Sequence, residues 1–488
     1  MTKKISKLQY DQLFERKIAN FILEINKLFY NSNNEIIEIL KNKNINTRTK
    51  KITFSDALLY KFKSTFENTY NKSVANEINF TKNNIDSIVH VTNFYRKEQK
   101  IPVEYYNNIL IEVQKLSKQY CSNSKLINNL SDEEIKDLQQ LLLSNLKAIA
   151  TDGTYSNSNE KNNKTLETSL SMGYFDVINK KPVYLSYKGE ENKNKEIESL
   201  TNDINNNKFD YANSVLILDR GYFSYDLMDY LESKNIKYVI RIKNNCVHLK
   251  KNKNKKRNNK IIKNFPKNIR FINYTSDIKE KYKNSNNELV NIIRTIECNI
   301  VTNLETKFTD TEIKNIYLLR WSVEEYFKFV KKNFRFSHLI EHNTKTKECY
   351  EKLYIIIQIY SLLIDILENI YESHYKKITN NKNINYNKNY NKKSMIDGMP
   401  KIIENIINCN LTVTNLCCYY KCYMDITFSV KNANNPRVSK IPFTKWYVKG
   451  YTNTSDIVKI IDALQKNDLS KLNKNLKMRA KRIRLDDS

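Results

Sequence analysis

The spacing of hydrophobic positions changes period twice along the chain. Up to about residue 145, apolar residues recur every three or four positions through Phe21 to Phe29, Ala57 to Phe66 and Val103 to Leu116, which predicts amphipathic helices. Asn71 to Lys97 predicts two more helices joined at Phe80–Asn83, with Thr81 as an N-cap. That pair reads either as a helix-turn-helix or as an ordinary helical pair. From residue 146 the pattern shortens. Leu146-Lys-Ala-Ile-Ala-Thr-Asp152 and Ser214-Val-Leu-Ile-Leu-Asp219 are apolar runs closed by an acid, with Gly153 and Gly221 just beyond. Such runs, ended by turn chemistry, predict buried strands of a mostly parallel sheet. Between them, Thr168 to Ile178 and Val183 to Tyr187 predict a hairpin turning at Asn179-Lys180, followed by a polar helix within Asn194 to Asn206. A helix over Tyr225 to Ser233 and an alternating strand over Lys237 to Lys243 complete a β-β-β-α-β-α-β order. Each apolar run delivers an aspartate at a carboxyl end, where open α/β sheets place their chemistry.

The second change of period comes with a helix predicted over Ile313 to Phe336. At roughly 100° per residue, Tyr317, Arg320, Glu324 and Lys331 fall in one sector about 60° wide. Ile316, Val323, Phe327, Val330 and Phe334 form an apolar stripe beside it. Glu325 lies about 100° further round, outside the sector, so register selects Glu324. A carboxylate at the edge of a core-facing stripe, flanked by a phenol and two cations, suits a phosphate-handling site. The plain alternative is a solvated, charged helix face. Glycine adds to the first view: the chain has only 6, and Gly153 and Gly221 sit beside the two aspartates, where backbone must bend sharply or something must approach closely.

Composition divides the remainder. Residues 244–303 open with a basic run, Lys250 to Lys263, and continue with strands predicted over Arg270 to Tyr274 and Leu289 to Thr302. The most apolar stretch, Leu353 to Leu367, is broken by Gln358 and Asp365 and is too short to span a bilayer, so a core helix is expected. Tyr375 to Lys393 is Asn/Lys/Tyr low complexity, read as a linker. Beyond it, Pro436 to Trp446 mixes basic and aromatic residues, either a surface hairpin or a nucleic-acid contact. Lys477 to Arg484 is a basic tail, read as a nuclear address or a further phosphate contact. The expected domains are 1–145 (helical), 146–243 (first part of an α/β core), 244–303 (β-rich insertion), 304–374 (last part of the core), 375–394 (linker) and 395–488 (C-terminal region).

A net charge of +29 and a pI near 9.4 favour a polyanionic partner, although the abundance of Lys, Asn, Ile and Tyr also fits an A/T-rich coding sequence. The 8 cysteines show no framework of pairs, as expected of reduced thiols in an intracellular protein. Cys409, Cys417, Cys418 and Cys422 could hold zinc, but no histidine has matching spacing and buried structural cysteines are the default. No secretory signal and no membrane partner are expected.

Asp152 in Asp-Gly-Thr, Asp219 in Asp-Arg-Gly-Tyr, and Tyr317-x2-Arg320-x3-Glu324-x6-Lys331 resemble the DDE transposases of bacterial insertion sequences, and within them the branch with the Y-R-E-K motif. The resemblance runs from about Leu146 to Tyr371. It implies a ribonuclease-H-like α/β catalytic core interrupted by a β-rich insertion, with a helical N-terminal domain that binds the element's terminal repeats and a small C-terminal region. The family's insertion contacts the transposon end and can hold a displaced base on an aromatic. Here the insertion lacks Trp, which leaves Phe271 and Tyr274 as candidates. The implied function is DNA cleavage at transposon ends followed by joining of the 3′-hydroxyl to target DNA. Double-stranded DNA, as terminal inverted repeats and as target, is then the partner, engaged by a homodimer. The expected location is with DNA, in the nucleus of a eukaryotic host or otherwise the cytoplasm. Two other activities share the fold: a catalytically silent, transposase-derived DNA-binding protein, and a nuclease that cuts without joining.

Phosphodiester transfer needs an activated attacker and a stabilised leaving oxygen, which two metal ions roughly 3.5–4 Å apart supply. Mg²⁺ wants hard oxygen ligands, with Mn²⁺ as a substitute. Asp152 is expected to bridge two ions, with Asp219 on one and Glu324 on the other. Arg320, by a bidentate fork, and Lys331, as a point charge, are expected on DNA phosphates, with Tyr317 donating its hydroxyl to the same backbone. The 5 histidines show no motif linking them to the acids.

Overall fold

β1 (Lys147–Ser158), β2 (Glu167–Asp176) and β3 (Lys181–Gly189) form an antiparallel meander, and β4 (Ser214–Leu218) and β5 (Lys237–Ile242) run parallel to β1, giving the order 3-2-1-4-5. The structure is a computed structural model and describes residues 7–29, 32–45, 47, 51–65, 71–81, 88–120, 138–158, 167–189, 195–242, 269–286, 288–334, 336, 338–339, 347–379, 388–390, 428–430, 454–481 and 483–485. β4 is buried at every position, as a strand covered on both faces must be. The β2–β3 turn follows from its residues: the Asp176 carboxylate accepts from Ile178 N–H and Asn179 N–H, and Lys180 takes φ 52°.

Helices cover both faces. α8 (Glu196–Asn205) and α9 (Tyr225–Ser233) pack Leu200, Ile204, Leu227 and Met228 against Ile149, Leu216 and Leu218. On the other face, Ala150, Val215, Ile217 and Val239 join the core of α10 (Asp310–Leu318), α11 (Trp321–Asn333) and α12 (Lys347–Thr379). A mixed sheet wrapped this way is consistent with the ribonuclease-H-like expectation. α12 buries the apolar stretch 353–367, with Gln358 satisfied by the Leu185 N–H and carbonyl, both at 3.1 Å. It runs on to Thr379, past the point where the linker was expected to begin.

Before the sheet come α1 (Lys7–Phe29), α2 (Ser32–Asn42), α3 (Phe54–Ser64), α4 (Asn71–Thr81), α5 (Val91–Glu98), α6 (Val103–Tyr120) and α7 (Gln139–Leu143). Their core is continuous with that of α12. Lys352 of α12 lies buried 3.5 Å from Glu98, which also accepts from the Tyr106 hydroxyl. Thr81 is the last residue of α4 and not an N-cap; among the described residues the next helix, α5, starts after His90, whose side chain accepts from Thr92 N–H.

β6 (Arg270–Lys283) and β7 (Leu289–Thr302) form a long hairpin, and β7 also pairs with β5, so these residues extend the core sheet. The basic run Lys477 to Arg484, expected as a tail, belongs instead to α14 (Lys474–Ala480) and β11 (Ile483–Leu485). β11 pairs with β7 at Ile483↔Arg294. Together with α13 (Thr454–Gln465) these elements bury Ile460, Ile461, Leu472, Leu476 and Ile483 on Ile292 of the hairpin. Apolar residues interleaved with the basic ones fold the run down. β8 (His338–Leu339) adds to β1, and β9 (Lys388–Tyr390) pairs with β10 (Phe428–Val430). The basic run 250–263, the cysteine cluster and Pro436 to Trp446 lie outside the described residues. Among the described residues no helix is long and apolar enough to cross a membrane.

Candidate active site

The parallel ladder of β1 and β4 closes at Thr151↔Leu218, and the next residue on each strand is an aspartate. Asp152 does not end its strand, as the apolar run led us to expect. β1 continues against β2 to Ser158; what ends at Asp152 is its pairing with β4, and that opens the backbone beyond. Asp219 follows β4 in extended conformation and leads into the 3₁₀ turn Arg220–Tyr222.

The third acid comes from two helical segments, not the single helix the period predicts. Between α10 and α11, Leu319 and Arg320 keep right-handed helical dihedrals. Their hydrogen bonds tighten to three-residue spacing, with Arg320 N–H on Tyr317 O at 3.0 Å and Val323 N–H on Arg320 O at 3.2 Å. Packing of Val323, Phe327 and Val330 on the sheet side holds α11 in place, and the polar residues still converge. Arg320 Nη2 donates to Glu324 Oε1 at 2.6 Å and Nη1 stands 3.7 Å from Asp152 Oδ2. The Tyr317 hydroxyl donates to Asp219 Oδ1 at 3.2 Å, and Lys331 Nζ to the Tyr155 carbonyl at 3.2 Å. Glu325, the rival carboxylate, faces solvent and pairs with Lys328.

Two residues that pattern alone did not single out join this group. Arg241 on β5 lies against the Tyr317 hydroxyl and near Asp219. Glu196, the first residue of α8, accepts from the Tyr155 hydroxyl at 3.1 Å and lies close to Asp152. The glycine at 153 was the one available signal, since it marked a close approach without saying by what. Of the aromatics considered for base stacking, Phe271 on β6 is 39% exposed. Tyr274 is half-buried against the core, with Lys314 Nζ 5.2 Å from its ring centre.

Burial, with the charges of Glu196, Asp219 and Glu324, pushes the Asp152 carboxyl up to about 7 against the pull of Arg320. Burial pushes Tyr317 up to about 12. Burial also works against the Arg320 charge, but Tyr317, Asp219, Glu324 and Asp152 outweigh it and hold the guanidinium firmly ionised. The Lys331 ammonium is lowered by burial, partly offset by Asp152.

Carboxylate oxygens are the donors that Mg²⁺ or Mn²⁺ takes, and side-chain exposures of 22% for both Asp152 and Glu324 leave them reachable. As placed, no three His, Cys, Asp or Glu side chains among the described residues close on a single point. Arg320 stands between Asp152 and Glu324 as their cation. The donor set therefore fits divalent ions in charge and chemistry, on the condition that Arg320 gives way.

Residues 174–349 match the family described as the transposase DDE domain. The match takes in Asp219, Tyr317, Arg320, Glu324 and Lys331 and begins after Asp152. A comparison with curated proteins finds no match.

Proposed function

We propose, from the premise that the chain carries a transposase DDE domain, that it is a transposase of the Y-R-E-K type that cuts DNA at transposon ends and joins the freed 3′-hydroxyl to target DNA. The observation that carries this reading is the gathering of Asp152, Asp219 and Glu324 around Arg320 and Tyr317. Divalent ions on these three acids would supply an activated attacking oxygen and a stabilised leaving one. Arg320 balances Asp152 and Glu324, and were divalent ions to neutralise those carboxylates its planar fork would be free for a phosphate of the DNA backbone. Lys331, already anchored on the Tyr155 carbonyl at 3.2 Å, adds a point charge further along the same strand. Tyr317 orients Asp219 through its hydroxyl. The partners are double-stranded DNA, as terminal inverted repeats and as target, held by two copies of the chain.

The test uses linear duplexes carrying the DNA that flanks the gene, with Mg²⁺ or Mn²⁺ and a supercoiled target. The wild-type chain is expected to nick the ends and transfer them, whereas Asp152→Asn and Glu324→Gln bind the ends without cutting. Wild-type cutting without strand transfer identifies a nuclease, and end binding without any cutting identifies a silent binding protein. Cleavage at the wild-type rate by either variant overturns the assignment of the acids.

A further inference from the structure

Glu196 approaches Asp152 from the sheet face opposite α11. A Cβ on Gly153 would stand 2.6 Å from Glu196 Cδ and 2.7 Å from its Oε1, so the carboxylate fills the space that any other side chain would need. The Tyr155 hydroxyl holds Glu196 Oε1 at 3.1 Å, and the carbonyl of the same Tyr155 holds Lys331. Both faces of β1 thus converge on one stretch of backbone. Tyr222, 1% exposed, lies against Glu196 and Asp152, and its buried hydroxyl completes no hydrogen bond of good geometry. Among the described residues no cation pairs with Glu196. Like charges held together in a partly buried site cost free energy unless a cation joins them.

An ordinary structural role does not account for this placement. An acid in the first turn of a helix is favoured by the helix dipole, but Glu198, exposed in the same turn, serves that purpose without crossing a strand. The dipole explains neither the missing side chain at Gly153 nor the unpaired hydroxyl of Tyr222.

We propose that Glu196 is a fourth carboxylate of the metal site and shares one divalent ion with Asp152. This rests on the functional reading above, and it adds a ligand from α8 to those from β1, β4 and α11. The Tyr155 hydroxyl orients the ligand, and the orphan Tyr222 hydroxyl is placed to donate to the carboxylates or to a water on the ion.

Mn²⁺ binding to the full chain, without DNA, tests it through the paramagnetic signal of the free ion. Glu196→Gln, which keeps the shape and the Tyr155 contact, is expected to weaken Mn²⁺ binding by about tenfold or more. Cleavage should then require correspondingly more Mn²⁺ and recover when the ion is in excess. Gly153→Ala, which displaces Glu196 while keeping its charge, is expected to weaken binding in the same direction, and Glu198→Gln to leave it unchanged. Wild-type Mn²⁺ affinity in Glu196→Gln overturns the proposal. Asp152→Asn, measured alongside, separates the two failures. If it retains full Mn²⁺ affinity the metal site itself is misplaced, and if it alone loses affinity only the fourth ligand is wrong.

Discussion

Gly153 and Gly173 sit on opposite faces of the same sheet and make room for different things. Gly173 lies directly across from Asp152 in the β1–β2 register, and a Cβ there would come 2.5 Å from the Phe327 ring of α11. Its absence lets an apolar helix settle, and the helix brings Glu324 and Lys331 with it. Gly153 admits the Glu196 carboxylate itself. One face positions its chemistry through a core, and the other through a single gap. Packing leaves a periodic trace in the sequence, whereas a gap leaves only a glycine.

The largest expected effect tests the packed face. Glu324→Gln should lower end cleavage by about a thousandfold or more, the scale seen when one member of a catalytic unit is removed, with end binding retained in a gel-shift assay. Next come the glycines. Gly173→Val should destabilise the chain by about 1–3 kcal/mol, as overpacking does, and lower its melting temperature. Gly153→Ala should act first on Mn²⁺ affinity, and Gly221→Ala, with nothing within 4 Å of its added carbon, on neither. If the Gly153 and Gly173 variants fail alike in melting and in metal binding, the contrast between the faces is lost.

A smaller effect concerns protons. Desolvation and the neighbouring acids push the Asp152 carboxyl up to about 7, against an ordinary value of 3.8. The folded state is therefore fully favoured below the ordinary value and is penalised increasingly as pH rises through that window. Asp152→Asn removes the penalty, so without metal its melting temperature should exceed wild type by a few degrees at pH 8 and by little at pH 4. A difference that does not change with pH would contradict the raised carboxyl. The smallest effect belongs to Lys331→Ala, which should reduce the slope of log binding against log salt by about 0.9, while Glu325→Gln, already paired with Lys328, changes nothing.

Much of the core was legible because buried strands and helices leave periodic traces. The runs before Asp152 and Asp219 became neighbouring parallel strands, and the sector holding Tyr317, Arg320, Glu324 and Lys331 survived the tightened turn at Arg320, because the apolar stripe fixes the helix. Other features left no such trace. Beyond Tyr274, β6 is mostly polar, and pairing with β7 is what carries it to Lys283. Glu196 looks like any acid opening a helix. Thr81 looked like a cap, yet α4 ends on it, and His90 caps the helix that starts at Val91.

The union of β11 with β7 has a consequence for biosynthesis. Asn284 at the hairpin tip bonds Gln465, 181 residues later in the chain. A ribosome completes the hairpin long before α13, α14 and β11 emerge, and until then the Ile292–Arg294 stretch of β7, beyond the part paired with β5, lacks its β11 partner. An open strand edge of that kind invites pairing with a neighbouring nascent chain. Premature termination upstream of Ile483 should therefore show itself as aggregation during expression before it shows itself as lost activity.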